Sequence, residues 1–204
     1  MADSFTDIVS VTLVAALWCT VHSLLIARGF ERRLRRVLGP RAAWHRLVYN
    51  LFSAATLLWC WTVFRRHPGA PLWDWPGLWQ APRWAGLALA AWLGWLGLRA
   101  HDNQAFLGLR QVRDLRAGRA PAPARLSRDG VLGIVRHPYY AAGLLFVICH
   151  DGFTTTTMAW RGVFVLYLLL GTWLEERKLL AEYGDAYRAY RREVPALVPR
   201  RLLP

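Results

Sequence analysis

FTDIVSVTLVAALWCTVHSLLIA, residues 5–27, decides the fold of this chain. It contains one charged residue, Asp7, and is otherwise almost continuously apolar. As a helix rising about 1.5 Å per residue it would reach roughly 34 Å, enough to cross the hydrocarbon core of a bilayer. Working outward, similar apolar runs recur at residues 45–64 and 84–100, and shorter ones at 139–149 and 160–174. The last two read as a hairpin forming spans four and five, and their shortness calls for tilt, local thinning or a re-entrant arrangement. The expected architecture is therefore all-α, a polytopic membrane protein with about five transmembrane helices. It forms a single domain, 1–204, with three N-terminal spans (1–100), an inner loop (101–138) and a hairpin with its tail (139–204).

The net charge of +13 invites a nucleic-acid reading, but the placement of the charge argues against it. With the N-terminus outside, the cytoplasmic segments become 28–46, 99–138 and 174–204, and they hold 22 of the 26 Lys and Arg. Arg65, Arg66, Arg83 and Arg161 fall on the opposite side. This is the positive-inside asymmetry of a multi-pass membrane protein with five crossings and a cytoplasmic C-terminus. No basic segment coincides with a nucleic-acid-binding motif. The first span lacks the basic leader of a signal peptide, since Asp3 and Asp7 lie at its start. Trp73, Trp75, Trp79 and Trp84 cluster with prolines in the 65–83 connection, which suits the outer headgroup zone better than an aromatic cage.

Cys19, Cys60 and Cys149 lie in apolar runs, without CxxC or zinc-ligand spacing, so they read as small core residues and no metal is expected. Cys149-His150-Asp151 reads as a polar turn of the hairpin. There is no Gly-rich phosphate loop, so a nucleotide-like ligand would need another kind of site.

Two polar clusters flank the hairpin. Arg136-His137-Pro138-Tyr139-Tyr140, with Gly143 beyond, precedes span four; Glu175-Glu176 closes span five. Proline is tolerated in a first helical turn and extends the residue before it, so Arg136 and His137 should stand at the helix entrance, able to meet an anionic group. Paired carboxylates at a helix C-terminus oppose its dipole and call for cationic partners, Arg177 and Lys178 or a ligand. Tyr183, Tyr187 and Tyr190 recur at spacings of four and three, one stripe on a post-membrane helix that would cap the site. An anion-binding entrance, a carboxylate pair and an aromatic lid suit a zwitterionic, partly aromatic cation.

Gly133-x-x-Arg-His-Pro-x-Tyr, then Glu-Glu-x-x-Leu-x-x-x-x-Gly-x-x-Tyr-x-x-Tyr and Val-Pro-x-Leu-x-Pro, resembles the isoprenylcysteine carboxyl methyltransferase superfamily over residues 126–200. Trp18, His22-Ser23-Leu24-Leu25, Tyr49, Leu51-Phe52-Ser53 and Phe106-x-Gly-Leu-Arg-Gln-Val are similar to its bacterial methanethiol S-methyltransferase branch. One departure is visible: the family commonly has Gly two residues after the motif tyrosine, where this chain has Ala142 with Gly143 displaced by one. The resemblance implies S-adenosyl-L-methionine as cofactor, bound from the cytoplasm under a capping helix. Arg136, His137, Pro138, Tyr140 and Gly143 would form one wall; Glu175 and Glu176 would face its cationic centre, with Tyr183 and Tyr187 near the adenosine. It places a small thiol near His22, Arg110 and Gln111.

Methyl transfer from a sulfonium to a thiolate is an in-line displacement helped by alignment and desolvation. His22 is the histidine well inside a span, which makes it either a candidate base or a histidine hydrogen-bonded to a neighbouring helix, with Arg136 as an electrostatic alternative to the base. His101-Asp102-Asn103 at the inner end of span three is a further polar cluster, better read as solvated. Other acceptors stay open: a prenylcysteine carboxylate, a phospholipid amine, or an inorganic sulfur or selenium species. Membrane reductases using a nicotinamide cofactor share a His-Pro-x-Tyr region, but Tyr139 and Leu144 stand here in place of their usual Asn and Glu.

Overall fold

In the computed structural model, residues 2–119 and 126–199 are described. Residues 120–125 of the expected inner loop and the basic pair Arg200 and Arg201 lie outside them. The helices are α1 (Ala2–Ile26), α2 (Arg28–Leu38), α3 (His45–Arg66), α4 (Gln80–Ala100), α5 (Asn103–Leu107), α6 (Leu109–Arg116), α7 (Pro138–Cys149), α8 (Thr155–Tyr183) and α9 (Asp185–Glu193). Two short strands, β1 (Pro71–Trp73) and β2 (Phe153–Thr154), pair antiparallel and are the only departure from helix and loop among the described residues.

Three stretches are long and apolar enough to cross a membrane: Phe5–Ile26, Arg28–Arg66 and Thr155–Tyr183. These are the dimensions of a multi-pass membrane protein. The helix expected at 160–174 runs much further in both directions, as α8, so its apparent shortness disappears. Its start is fixed by a capping box in which Thr154 and Thr157 each accept a backbone N–H of the other. α4 and α7, also read as spans, are not among the three, and α7 has only twelve residues.

The chain divides into two compact units. One comprises residues 1–69 and 102–124. In it α1 and α3 pack antiparallel, shown by contacts that run in opposite directions along the two helices. Asp7 meets His67 at 2.7 Å, Trp18 Nε1 donates to Thr56 Oγ1 at 3.1 Å, and Tyr49 reaches His22 at 2.6 Å. Val11, Ala15 and Cys19, each four residues apart, form the buried stripe of α1. α5 and α6 meet at Gly108, whose φ of +90° favours glycine. A Cβ there would stand 2.5 Å from the Leu47 nitrogen, so this turn can lie against the start of α3 only as glycine.

The other unit comprises residues 70–101 and 125–204. Here α4 packs along α7 through small residues. A Cβ on Gly86 would strike the Cys149 sulfur, and one on Gly97 would stand 3.0 Å from the Tyr139 ring. Gly86, buried Ala90 and Gly94 repeat every four residues, a spacing that lets helix backbones approach closely in a membrane protein. Leu93, Val131, Leu132, Val135, Ala141 and Ala142 form the core beside that contact. At the α7–α8 turn, Trp75 is buried and donates to the Asp151 carbonyl, whereas Trp79 and Trp84 are exposed. The tryptophan loop therefore has one structural anchor and an outward face suited to headgroups.

Candidate functional site

The two polar clusters that flank the hairpin meet. Pro138 begins α7 and leaves His137 outside the helix, with both Arg136 and His137 turned toward α8. Arg136 grips Glu176 side-on, Nε to Oε1 at 2.9 Å and Nη2 to Oε2 at 3.0 Å. His137 Nε2 lies 2.8 Å from Glu176 Oε1, and the Tyr187 hydroxyl donates to the same oxygen at 2.6 Å. Arg191 Nε completes the set, 2.8 Å from Oε2. Glu176 is 8% exposed and His137 5%, so this is a buried carboxylate with its partners in place. Such a cluster is costly to desolvate, and removing one member leaves the others uncompensated.

The same residues hold the tail. The Arg136 and His137 backbone N–H groups donate to the carbonyls of Pro195 and Ala196 at 3.0 Å each. Arg136 Nη1 donates to the carbonyls of Val194 and Arg191. Tyr190 donates to the Leu132 carbonyl at 2.5 Å, and Arg128 lies over the Tyr190 ring. Tyr187, Tyr190 and Val194 thus close a small core over the site. Burial, then the bond to Glu176, raises the pKa of Tyr187, which keeps it a proton donor; burial pushes that of Tyr190 up to about 12.

Several expected residues take places that the sequence did not specify. The tyrosine stripe is not on one helix: Gly184, with φ +55°, ends α8 after Tyr183, and Tyr187 and Tyr190 belong to α9. The carboxylate pair is divided. Glu176 is buried and fully engaged, while the Glu175 side chain is 41% exposed, its Oε2 4.0 Å from His137 Nδ1. Arg177 does not serve Glu176 but lies over the Trp173 ring. Tyr139 and Tyr140 point to different neighbours, Tyr139 against Gly97 of α4 and Tyr140 into the notch at Gly171 of α8. Gly143 faces Leu168 of α8, so its missing side chain serves the helix crossing. Arg136 commits all three of its nitrogens to the clamp, and contact with a thiolate would require the clamp to open. Arg191 was missed, although it stands one helical turn beyond Tyr187 and so on the same face.

The exposed edge of this cluster carries a carboxylate (Glu175), a half-exposed guanidinium (Arg191) and a partly buried aromatic ring (Tyr183), with the His137 ring buried behind Glu175. That donor set fits a ligand with an ammonium or sulfonium, a carboxylate and an aromatic base. Among the described residues no group of His, Cys, Asp and Glu could hold a metal ion.

His22 lies in the first unit, inside α1. Its ring stacks on Trp18 at 4.6 Å between centroids, and its Nε2 is 2.6 Å from the Tyr49 hydroxyl. Tyr49 is buried and appeared in the sequence only as part of a motif, with no role assigned. Arg110 and Gln111, expected near substrate, make local contacts: Arg110 pairs with Asp102, and Gln111 Nε2 donates to the Ala105 carbonyl at 3.0 Å. Asp102 also caps α5 through the Ala105 N–H, and His101 Nδ1 bonds the Gly97 carbonyl. The His101-Asp102-Asn103 string thus supplies helix ends.

Comparison with known proteins points the same way. The chain is 31% identical over 192 residues to methanethiol S-methyltransferase 2 of Bradyrhizobium diazoefficiens, covering 92% of this chain and 71% of that protein. It is 31% identical over 197 residues to the methanethiol S-methyltransferase of Mycobacterium tuberculosis, covering 92% and 76%. It is 28% identical over 200 residues to that of a Pseudomonas strain, covering 96% and 73%. No solved structure matches. The family match runs over residues 10–198, through both units and every polar cluster described above, and the chain belongs to the NnrU protein family.

Proposed function

We propose that this protein is an S-adenosyl-L-methionine-dependent methyltransferase that methylates a small thiol such as methanethiol. The observation that carries the reading is the joining of Arg136-His137-Pro138 to Glu176 and the α9 tyrosines, in a chain whose relatives bear that enzyme name. Glu176 is the internal tie of this site. Glu175, at the exposed edge, faces the ligand's cationic centre, and Arg191 and Tyr183 take its carboxylate and its adenine. Five crossings, with α4 and α7 completing the set and the N-terminus outside, put this edge on the cytoplasmic side.

When bound, the cofactor supplies an electrophilic methyl group on a sulfonium, so both charges vanish as a thiolate takes it. His22 accepts the thiol proton, and Tyr49 holds the imidazole ring in place. The apolar surroundings of α1 and α3 keep water from the thiolate, so its charge is poorly solvated while the sulfide product carries none. The test is incubation of purified protein with labelled cofactor and a panel of thiols, prenylcysteines and lipid amines, with volatile products read by gas chromatography. Labelled methyl sulfide from methanethiol supports the reading; label found only in prenylcysteine ester or lipid refutes the thiol assignment.

A further inference from the structure

The chain turns sharply where α1 ends. Ala27, at φ −62° and ψ 136°, is extended, and α2 leaves at an angle from the apolar helix before it. The elbow holds a groove of about 520 Å³. Val21, Leu24 and Leu25 line it from α1, and Gly29, Phe30 and Arg33 from α2. Its walls are apolar apart from Arg33. Gly29 opens directly onto space, since a Cβ there would meet nothing within 4 Å.

α2 itself is strongly two-sided. It carries five arginines against one glutamate, and that glutamate is held by Arg35 at 2.8 Å. No residue of α2 is buried, and Phe30, Val37 and Leu38 are exposed. A short basic amphipathic helix that begins where an apolar span ends lies at headgroup depth, and its excess of arginine over glutamate favours an anionic partner.

We propose that this elbow is a binding site for one anionic phospholipid, with an acyl chain in the groove and the phosphate on Arg33 and the neighbouring arginines of α2. The apolar walls match the chain, the lone guanidinium at the rim matches the phosphate, and the helix charge selects the headgroup. The proposal is independent of the methyl-transfer reading, because its readout is binding.

The experiment uses the full-length protein, delipidated in a neutral detergent and titrated with dioleoylphosphatidylglycerol or dioleoylphosphatidylcholine. Native mass spectrometry counts retained lipid, and thermal unfolding reports saturation. The expected result is one retained phosphatidylglycerol per chain, with phosphatidylcholine about tenfold weaker or more. Gly29→Phe should fill the groove and abolish retention while the lipid-free melting temperature is unchanged. Arg33→Gln should retain lipid but narrow the headgroup preference. Equal affinity for both lipids, or undiminished retention in Gly29→Phe, overturns the proposal. So does a concentration-dependent dimer that phosphatidylglycerol fails to disperse, which would make a second copy the occupant.

Discussion

The carboxylate at the start of the tail and the histidine inside α1 are both ionisable groups of an apolar protein, yet they are treated in opposite ways. Glu176 is met by two guanidiniums, an imidazole and a phenol. His22 has a tyrosine hydroxyl and the face of a tryptophan. A charge removed from water requires that many partners, because an uncompensated ion in a low-dielectric interior is prohibitive. A neutral imidazole can be kept with far less. The consequence is a division of labour: the carboxylate cluster can hold parts of the chain together, whereas the His22 ring faces a hydroxyl with which it can exchange a proton.

The sharpest way to break this contrast is Glu176→Gln. It should leave Arg136 buried without its counter-ion and lower stability by about 3–5 kcal/mol. Limited proteolysis should then find the tail after Tyr183 released, with cofactor binding lost alongside; a tail still protected would show that the cluster does not hold it. His22→Gln probes the other side. Turnover should fall by about 10²–10⁴-fold with cofactor affinity unchanged, the range for a lost general base. A parallel loss of cofactor binding would remove the distinction between the two regions.

Smaller effects sharpen it. Glu175→Gln removes the exposed carboxylate and not the buried one, so cofactor affinity should fall by about tenfold, worth roughly 1.4 kcal/mol, while the melting temperature stays unchanged. A melting temperature that falls as far as in Glu176→Gln would mean the two carboxylates are equivalent. The mildest test is alkaline pH. The folded-state pKa of Tyr187 is raised above the unfolded value of about 10. Its contribution is therefore complete below about pH 10 and is lost as pH rises toward the folded value. Tail protection should weaken over that range in the parent protein. In Tyr187→Phe the dependence should shrink to what Tyr183 and Tyr190 contribute.

Much of this was legible in the residues. His-Pro before an apolar run announces a helix entrance, since proline is pre-set for a first turn and lacks the N–H that a later turn would need. Two acidic residues at a helix end announce that partners must come from elsewhere. Arg191 was also within reach, one turn from Tyr187. The break at Gly184 was harder, because tyrosines at spacings of four and three fit one continuous helix as well as two. Which of Glu175 and Glu176 would be buried could not be read at all, as adjacent residues on a helix point in directions about 100° apart and nothing local ranks them. The small-residue repeat on α4 was present in the sequence but has meaning only once α7 is found lying against it.

The sequence by itself determined the apolar helices, the basic asymmetry and the two motifs, because these follow from periodicity, charge and the fixed geometry of proline. Only the tertiary structure decided that Glu176 is a tie and Glu175 an open carboxylate, that Gly108 serves a backbone contact, and that Tyr49 belongs with His22. Those outcomes depend on which groups are brought together from distant parts of the chain, and the cost of burying a polar group is set by the partners it finds there.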